Sequence, residues 1–392
     1  MDLEERAQLR KEYLAQYPKE IFELPLILDD ANDFFCVIEN KMKKYINYVK
    51  NHWDFKIFYK NVCEVYRLYK KCISFYFKGN MQASNEQAVK VLKLLKKETD
   101  IWLIKPICKC LNEAQLKYLY KGRIGDFYGY TREGMFHIPF NQRKYITSQR
   151  YSINGIPCLY LGTSPYVCWE ELGRPSTENF WVSRYEVFNK ELCILDLSLS
   201  WQDIFDAQTA GTLDIAPLKK AYILSWIVQC ACSIKIKEHG RSFREEYVFP
   251  QILMQNINKL KIDGISYLSV NGAYWMNYNA YIMKNLALPA IDFEVNRQKE
   301  LSVKLTQSFL LTHPLNMGMV LTIQSDNPMM KGFKEISEHG RQAGTDNSRI
   351  KDSYKENSLI VMSREYEEMY KYTNFYKLEE KLNLQEAKRI KI

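Results

Sequence analysis

The feature that most constrains this chain is a change of hydrophobic period at Leu119. Before it, apolar residues recur three and four apart between Lys and Glu over Val37–Asn51, Phe58–Phe77 and Glu86–Lys97. That spacing lines up one face of a helix and predicts an all-helical N-terminal domain over residues 1–115. Gly79-Asn80 reads as a turn between two of these helices. Tyr45, Tyr48, Phe58, Tyr66, Tyr69 and Tyr76 recur at helical intervals and are expected to pack helix on helix.

After Leu119 the apolar runs shorten to strand length and are broken by Gly, Pro and Asn: Pro157–Gly162, Phe180–Val187 and Cys193–Leu197. Helical patterns return at Leu218–Ile236, which is apolar enough to be buried, and at Tyr247–Leu260. Strands and helices are mixed rather than alternating, so residues 116–324 are expected to form an α+β domain. Leu301–Thr312 and Met317–Ile323 read as further strands. Residues 325–392 read as a polar loop, Ser325–Glu356, followed by a charged helical end after Tyr370.

The length of 392 residues suits two folded units, or one with large extensions. Hydrophobic residues at 46% and charged ones at 26% are a globular balance, which argues against disorder as the main state. The charged start Met1-Asp-Leu-Glu-Glu-Arg6 and the absence of a run of about 18 apolar residues predict a cytoplasmic protein without a membrane partner. Ten Cys are scattered without metal-site or disulfide-scaffold spacing, so they are expected to be reduced and no metal is expected. The net charge of +9 suits a polyanionic partner, but lysines on solvated helix faces are the favoured reading, since no compact basic motif accompanies the charge.

By residue type alone, Arg123, Arg143, Arg150, Arg174 and Arg184 near Glu170 and Glu171 suggest recognition of an anion, since guanidinium forks bind phosphate oxygens in pairs. Surface charge explains the same cluster equally well. His137, in Met135–Pro139, reads as structural, and His239 with Arg241 as a solvated turn that could border a cleft.

The order of four segments is more specific. Leu119-Tyr-Lys-Gly-Arg-Ile124, Gln149–Gly162 with its Asn154-Gly155 turn, Cys168-Trp-Glu-Glu-Leu172 at the start of a helix, and Asp263-Gly-Ile-Ser-Tyr-Leu-Ser269 together resemble a RES domain. That family is named for its Arg, Glu and Ser and is related to ADP-ribosyltransferase toxins. The resemblance spans about 160 of the 392 residues, Leu119 to Asn279. It implies a RES/ADP-ribosyltransferase-like mixed sheet and an NAD glycohydrolase or phosphorylase of toxin or defence type, with NAD as substrate. Glu171 matches the family Glu better than Glu170, Ser269 the Ser, and Asn277 an Asn often found beyond it. The family often carries Arg after the Tyr of the first strand; here Lys121 stands there, with Arg123 two residues on and on the same strand face.

NAD offers a pyrophosphate for Arg, an aromatic ring for Tyr and ribose hydroxyls for a carboxylate. The implied roles are therefore Glu171, Arg123 and Ser269 as catalytic residues, with Arg150, Tyr160, Lys121 and Asn277 binding the dinucleotide. Inorganic phosphate is a candidate acceptor beside water, and the family implies a small DNA-binding antitoxin as partner; dimerisation is left open. The helical extension departs from the compact toxin and is expected to act as a sensor or regulator. Two other readings stay open: an ADP-ribosyltransferase modifying a macromolecule, and a non-catalytic module binding nucleic acid or protein.

Overall fold

The computed structural model describes residues 8–9, 12–31, 34–110, 118–126, 128–211, 215–238, 240–271, 283–294, 301–324, 370 and 373–390. Three long helices stand near its start: α1 (Phe34–Asn51), α2 (Tyr59–Phe77) and α3 (Met81–Thr99). Each begins or ends within a few residues of the position its hydrophobic period predicts. Gly79, at φ +74°, makes the α2–α3 turn, and the Asn80 side chain caps α3 by accepting from Ala83 N at 3.0 Å.

A short strand β1 (Leu26–Leu28) precedes them, and β2 (Ile104–Pro106), β3 (Leu119–Ile124), β4 (Cys158–Gly162), α4 (Pro165–Glu171), β5 (Phe180–Val187) and β6 (Cys193–Leu197) follow. Next come α5 (Trp201–Thr209), α6 (Ala216–Cys232), β7 (Ile234–Ile236), α7 (Glu245–Asn256), β8 (Gly264–Leu268) and β9 (Lys284–Pro289). The described chain ends in α8 (Val303–Ser308), β10 (Phe309–Leu311), β11 (Leu315–Asn316), α9 (Met317–Gln324) and α10 (Asn374–Asn383). The fold is α+β. No helix among the described residues is long and apolar enough to cross a membrane.

The large sheet runs β10-β5-β3-β4-β9-β8-β6-β2, with β11 also on β5, and every pairing but β6–β8 is antiparallel. It has a seam. β3 pairs with β5 over six residues and β4 with β9 over five, yet β3 and β4 share only Tyr120 opposite Gly162. Two half-sheets therefore meet at one residue pair.

Directly opposed residues share a face, so the register sorts the side chains. Tyr160, Ala287 and Ile265 stand on one face with Asn285 and Tyr267; Leu159, Leu161, Leu286 and Leu288 stand on the other. On the first face, the half-sheet beyond the seam is covered by α6 and α7, and the β5–β3 half by α4, α9 and α10. The second face packs on Phe136, Phe140, Leu305 and Phe309.

The N-terminal helices are part of this core rather than a separate unit. Met42, Tyr45, Val65 and Leu95 join Trp226 and Ile227 of α6, Leu253 of α7 and the sheet residues Leu195, Ile265 and Ala287 in one apolar cluster. Tyr45 stacks on Trp226 at 4.0 Å and donates its hydroxyl to Ile223 O at 2.6 Å, so this aromatic does pack helix on helix. β2, which lies before residue 115, is itself the edge strand of the large sheet beside β6.

Three local expectations are corrected. The two runs read as strands contain helices: α8 occupies Val303–Ser308, capped by the Ser302 hydroxyl, and only Phe309–Leu311 is extended. Met317–Gln324 is α9, whose start is fixed by the Asn316 side chain accepting from Met319 N at 3.0 Å. Short apolar runs read alike in either state, and here the caps decide. Cys168 does not start a helix; α4 starts at Pro165 behind the Ser164 cap, so Glu171 is its last residue. The polar run read over Ser325–Glu356 lies outside the described residues.

Glycines at the seam let α4 lie close on the sheet. A Cβ on Gly162 would sit 2.4 Å from Val167 Cγ1 and 2.9 Å from Cys168 Sγ, and one on Gly122 would meet Phe180, Leu172 and Cys168 at 2.8–3.1 Å. Gly162→Ala is therefore expected to push α4 outward and lower stability by about 1–3 kcal/mol, read as a shift in the urea midpoint. A neutral result would mean that α4 does not rest on the seam.

Candidate active site around Glu171

Because α4 ends at the seam, Glu171 projects toward β9 and the end of β8. Asn285 Nδ2 donates to its Oε1 at 2.8 Å, Asn271 Nδ2 to its Oε2 at 3.3 Å, and Ser269 adds a further side-chain hydrogen bond. Lys235 of β7 donates Nζ to Asn271 Oδ1 at 2.8 Å, which turns that amide so its N–H faces the carboxylate. Three side chains, one from β9 and two from the segment after β8, thus hold one carboxyl group, and Lys235 orients one of them.

Glu171 is exposed, yet desolvation is the first cause raising its carboxyl above the ordinary value; Ser269, the Arg150 charge, Asn285 and Lys235 oppose the rise. Its carboxyl group thus stands open to solvent on one side and faces a shallow recess of crowding side chains on the other. Half-buried Tyr160, Tyr247 and Tyr267, with buried Tyr151 behind them, stand on this side. Tyr160 and Tyr267 share the Glu171 face, Tyr151 packs on Tyr267 at 4.3 Å between ring centroids, and Tyr247 lies beyond them on α7.

Arg150 closes the inner wall, and its guanidinium is engaged with backbone. Nη1 donates to Cys232 O at 3.1 Å and to Glu246 O at 3.3 Å, and Nη2 to Ile234 O at 2.7 Å, with the Tyr247 ring 5.1 Å away. The cation fastens the end of α6, β7 and the first turn of α7 to the loop before β4. Its charge reaches Glu171, but these bonds use both Nη groups, so it is an anchor in this structure rather than an open fork.

The residues expected on β3 lie elsewhere. Lys121 and Arg123 do share a face, but it alternates with that of Tyr120 and Gly122, on which α4 packs. Arg123 Nη2 donates to Phe136 O at 3.0 Å on the face away from Glu171. Lys121 Nζ points into the seam, 3.5 Å from Tyr160 O, and burial together with the Arg123 charge pulls its ammonium down to about 8. The structure therefore gathers Glu171, Ser269, Tyr160 and Arg150, and sets Lys121 and Arg123 behind them. Asn277 and His239 lie outside the described residues.

Glu170 is buried and paired with Arg174 at 2.9 Å, which leaves Glu171 as the open carboxylate of the two. His137 is structural: its Nδ1 lies 2.8 Å from Ile138 O, its Nε2 accepts from Ser302 N at 3.0 Å, and burial lowers it to about 4. Arg241 is held by Glu245 and Glu246. Sequence reasoning missed Asn271, Asn285 and Lys235. Nothing in their local sequence marks them: Asn285 is brought in by the pairing of β9 with β4 and β8, Asn271 follows β8, and Lys235 comes from β7 of the separate two-stranded sheet. It also missed Arg244, an exposed guanidinium over the Tyr247 ring at 5.1 Å, with Nη1 donating to its hydroxyl at 2.8 Å.

No family model matches the chain. It is 38% identical over 170 residues to YopC, a candidate toxin of Bacillus subtilis (strain 168). The match covers 41% of this chain, which spans 38% of the length of that relative. Among solved structures, the MbcT–MbcA toxin–antitoxin complex of M. tuberculosis is similar over 53% of this chain and 88% of the other, at 14% identity and a TM-score of 0.26. That superposition is too loose to establish a shared fold.

The different settings of the two arginines give a test. Arg150→Lys keeps the charge but loses the fork that serves three carbonyls, and is expected to cost about 2–3 kcal/mol. Arg123→Lys gives up a single carbonyl bond and should cost about 1 kcal/mol. Urea unfolding of both variants decides it; equal losses would remove Arg150 from its anchoring role.

Proposed function

We propose that this chain is an NAD-cleaving enzyme of toxin type, which breaks the bond between nicotinamide and ribose and passes the ADP-ribosyl group to water or inorganic phosphate. One observation carries the reading: an accessible carboxylate, Glu171, is held by Ser269, Asn271 and Asn285 at a shallow recess beside Tyr160 and Tyr267. The RES-like order of segments points the same way, as does the likeness to YopC, a protein itself described only as a candidate toxin.

In the proposed reaction the bond from C1′ to the nicotinamide nitrogen breaks and its electron pair leaves with the now neutral ring. Positive charge spreads over C1′ and the ring oxygen of the ribose, and the Glu171 carboxylate stabilises it or holds the adjacent hydroxyl. The acceptor oxygen then bonds to C1′ and releases its proton. Three hydrogen bonds keep the carboxylate fixed, so little reorganisation is needed as charge develops. Tyr160 or Tyr267 packs against the nicotinamide, and Ser269, fully buried, acts through the carboxylate it bonds.

The sites proposed for the pyrophosphate are Arg244 and Lys235, which stand on the recess side of the sheet with Tyr247 and Asn271. Lys121 and Arg123 enter this proposal at the seam behind Tyr160, where their charges bias the recess toward an anion. Asn277 keeps its family-implied role of binding the dinucleotide. A small antitoxin is the proposed partner, restraining the enzyme in the cell.

The test is NAD concentration over time with purified protein, with and without phosphate, beside Glu171→Gln. The variant is expected to lose about a hundredfold or more in rate. The carboxylate must be ionised to act and its proton affinity is raised, so activity should fall as pH drops through a value above the ordinary Glu range. That acid limb is lost in the variant. Label from NAD appearing on a macromolecule would replace hydrolysis by transfer, and an unchanged rate in Glu171→Gln would remove Glu171 from the chemistry.

A further inference from the structure

Away from Glu171, an open cleft of about 550 Å³ is lined by Lys93, Lys96 and Lys97 of α3 and by Lys259, Leu260 and Lys261 of the turn after α7. We propose that this cleft binds the phosphate backbone of a nucleic acid without reading its sequence.

The three α3 lysines sit at i, i+3 and i+4, so they form one row on a single face, and the turn supplies a second row across the cleft. All five are exposed. Like charges at these spacings repel, and a solvated helix face ordinarily relieves this with interleaved acids. None is supplied: among the described residues no carboxylate pairs with any of the five. Of the nearest acids, Glu98 is taken by Lys220 at 3.0 Å and Asp263 by Lys304, and Asp100, exposed beyond the end of α3, pairs with none of the five.

The two rows are also held in place. Lys96 Nζ donates to Leu260 O at 3.4 Å, tying α3 to the turn. Lys261 adopts φ +60°, the left-handed region where Gly is the usual occupant, so its ammonium is carried on a backbone conformation that disfavours any side chain.

The ligand class follows from what lines the cleft. Ammonium groups are point charges suited to successive single phosphates, whereas a lone carboxylate or pyrophosphate is more often gripped by an Arg fork. The lining has no aromatic ring on which a base could stack and no amide to read a base edge. Contact is therefore with backbone phosphates and is indifferent to sequence. The cleft is also distinct from the Glu171 recess: Lys261 precedes β8 and Ser269 follows it, so roughly 17 Å of strand separates them.

The experiment is fluorescence anisotropy of labelled 20-nucleotide mixed-sequence DNA and RNA single strands with the full chain, at 50–250 mM salt. The comparison is between wild type, a Lys93→Gln/Lys97→Gln/Lys261→Gln variant and a control Lys56→Gln/Lys60→Gln/Lys71→Gln variant of equal charge loss. All the substituted lysines are exposed, and circular dichroism with thermal unfolding checks that each variant is folded. The cleft variant is expected to bind at least tenfold more weakly at the lowest salt, with the slope of log K against log salt reduced by about 2, and the control to stay within twofold of wild type. Equal weakening in both variants would make the effect one of net charge and overturn the proposal, as would wild-type binding by the cleft variant. Displacement of the oligonucleotide by poly-glutamate or tripolyphosphate at equal charge concentration would also overturn it, in favour of an acidic polypeptide or a free oligophosphate.

Discussion

One buried guanidinium holds the helical cover and the Glu171 face of the sheet in register. Arg150 is 9% exposed, and its Nη groups serve carbonyls at the end of α6, in β7 and at the start of α7. A buried cation is tolerable only where dipoles or an opposite charge replace water, and three carbonyls, the Tyr247 ring and the Glu171 carboxylate share that task. The same charge that fastens two helices and a strand therefore also favours the ionised form of the candidate catalytic acid. Geometry and electrostatics of the recess cannot be altered separately at this residue.

The seam between β3 and β4 sets the other half of the arrangement. With one residue pair joining the half-sheets, α4 can settle over Gly122 and Gly162, and its last residue reaches β9 and the end of β8. A continuous β3–β4 ladder with side chains at those two positions would lift α4 by the width of a methyl group or more. Burial of Glu170 against Arg174 then leaves Glu171 as the carboxylate turned to the recess. Two adjacent acids acquire two different tasks because one helix ends where it does.

Much of this was legible in the residues. The helical period of α1–α3, the strand length of β4–β6, and the Asn154-Gly155 turn all follow from local spacing, and Gly155 indeed takes φ +73°. Glu171 and Ser269 were legible through the order of segments, and they meet. What local sequence did not carry was everything decided at a distance. Asn285 reaches Glu171 through strand pairing, Lys235 reaches Asn271 from the separate β1–β7 sheet, and the direction of Arg123 depends on which face α4 covers. The strand-like runs at Leu301 and Met317 failed for another reason: their apolar pattern suits either state, and the single caps Ser302 and Asn316 tip them to helix.

The shared core changes how the N-terminal helices are to be understood. A detachable sensor would carry its own apolar cluster and meet the sheet domain across a polar boundary. Here Tyr45 stacks on Trp226, Tyr69 meets Phe249 edge-on at 4.9 Å, and Lys219 and Lys220 of α6 pair with Asp54 and Glu98. α6 is apolar nearly all round, with 13 of its 17 residues buried, which a helix lying on one sheet face alone cannot satisfy. The N-terminal helices supply its second cover. The end of α6 is also the first carbonyl that Arg150 holds, so the helix that the N-terminal helices cover is the one fastened beside Glu171.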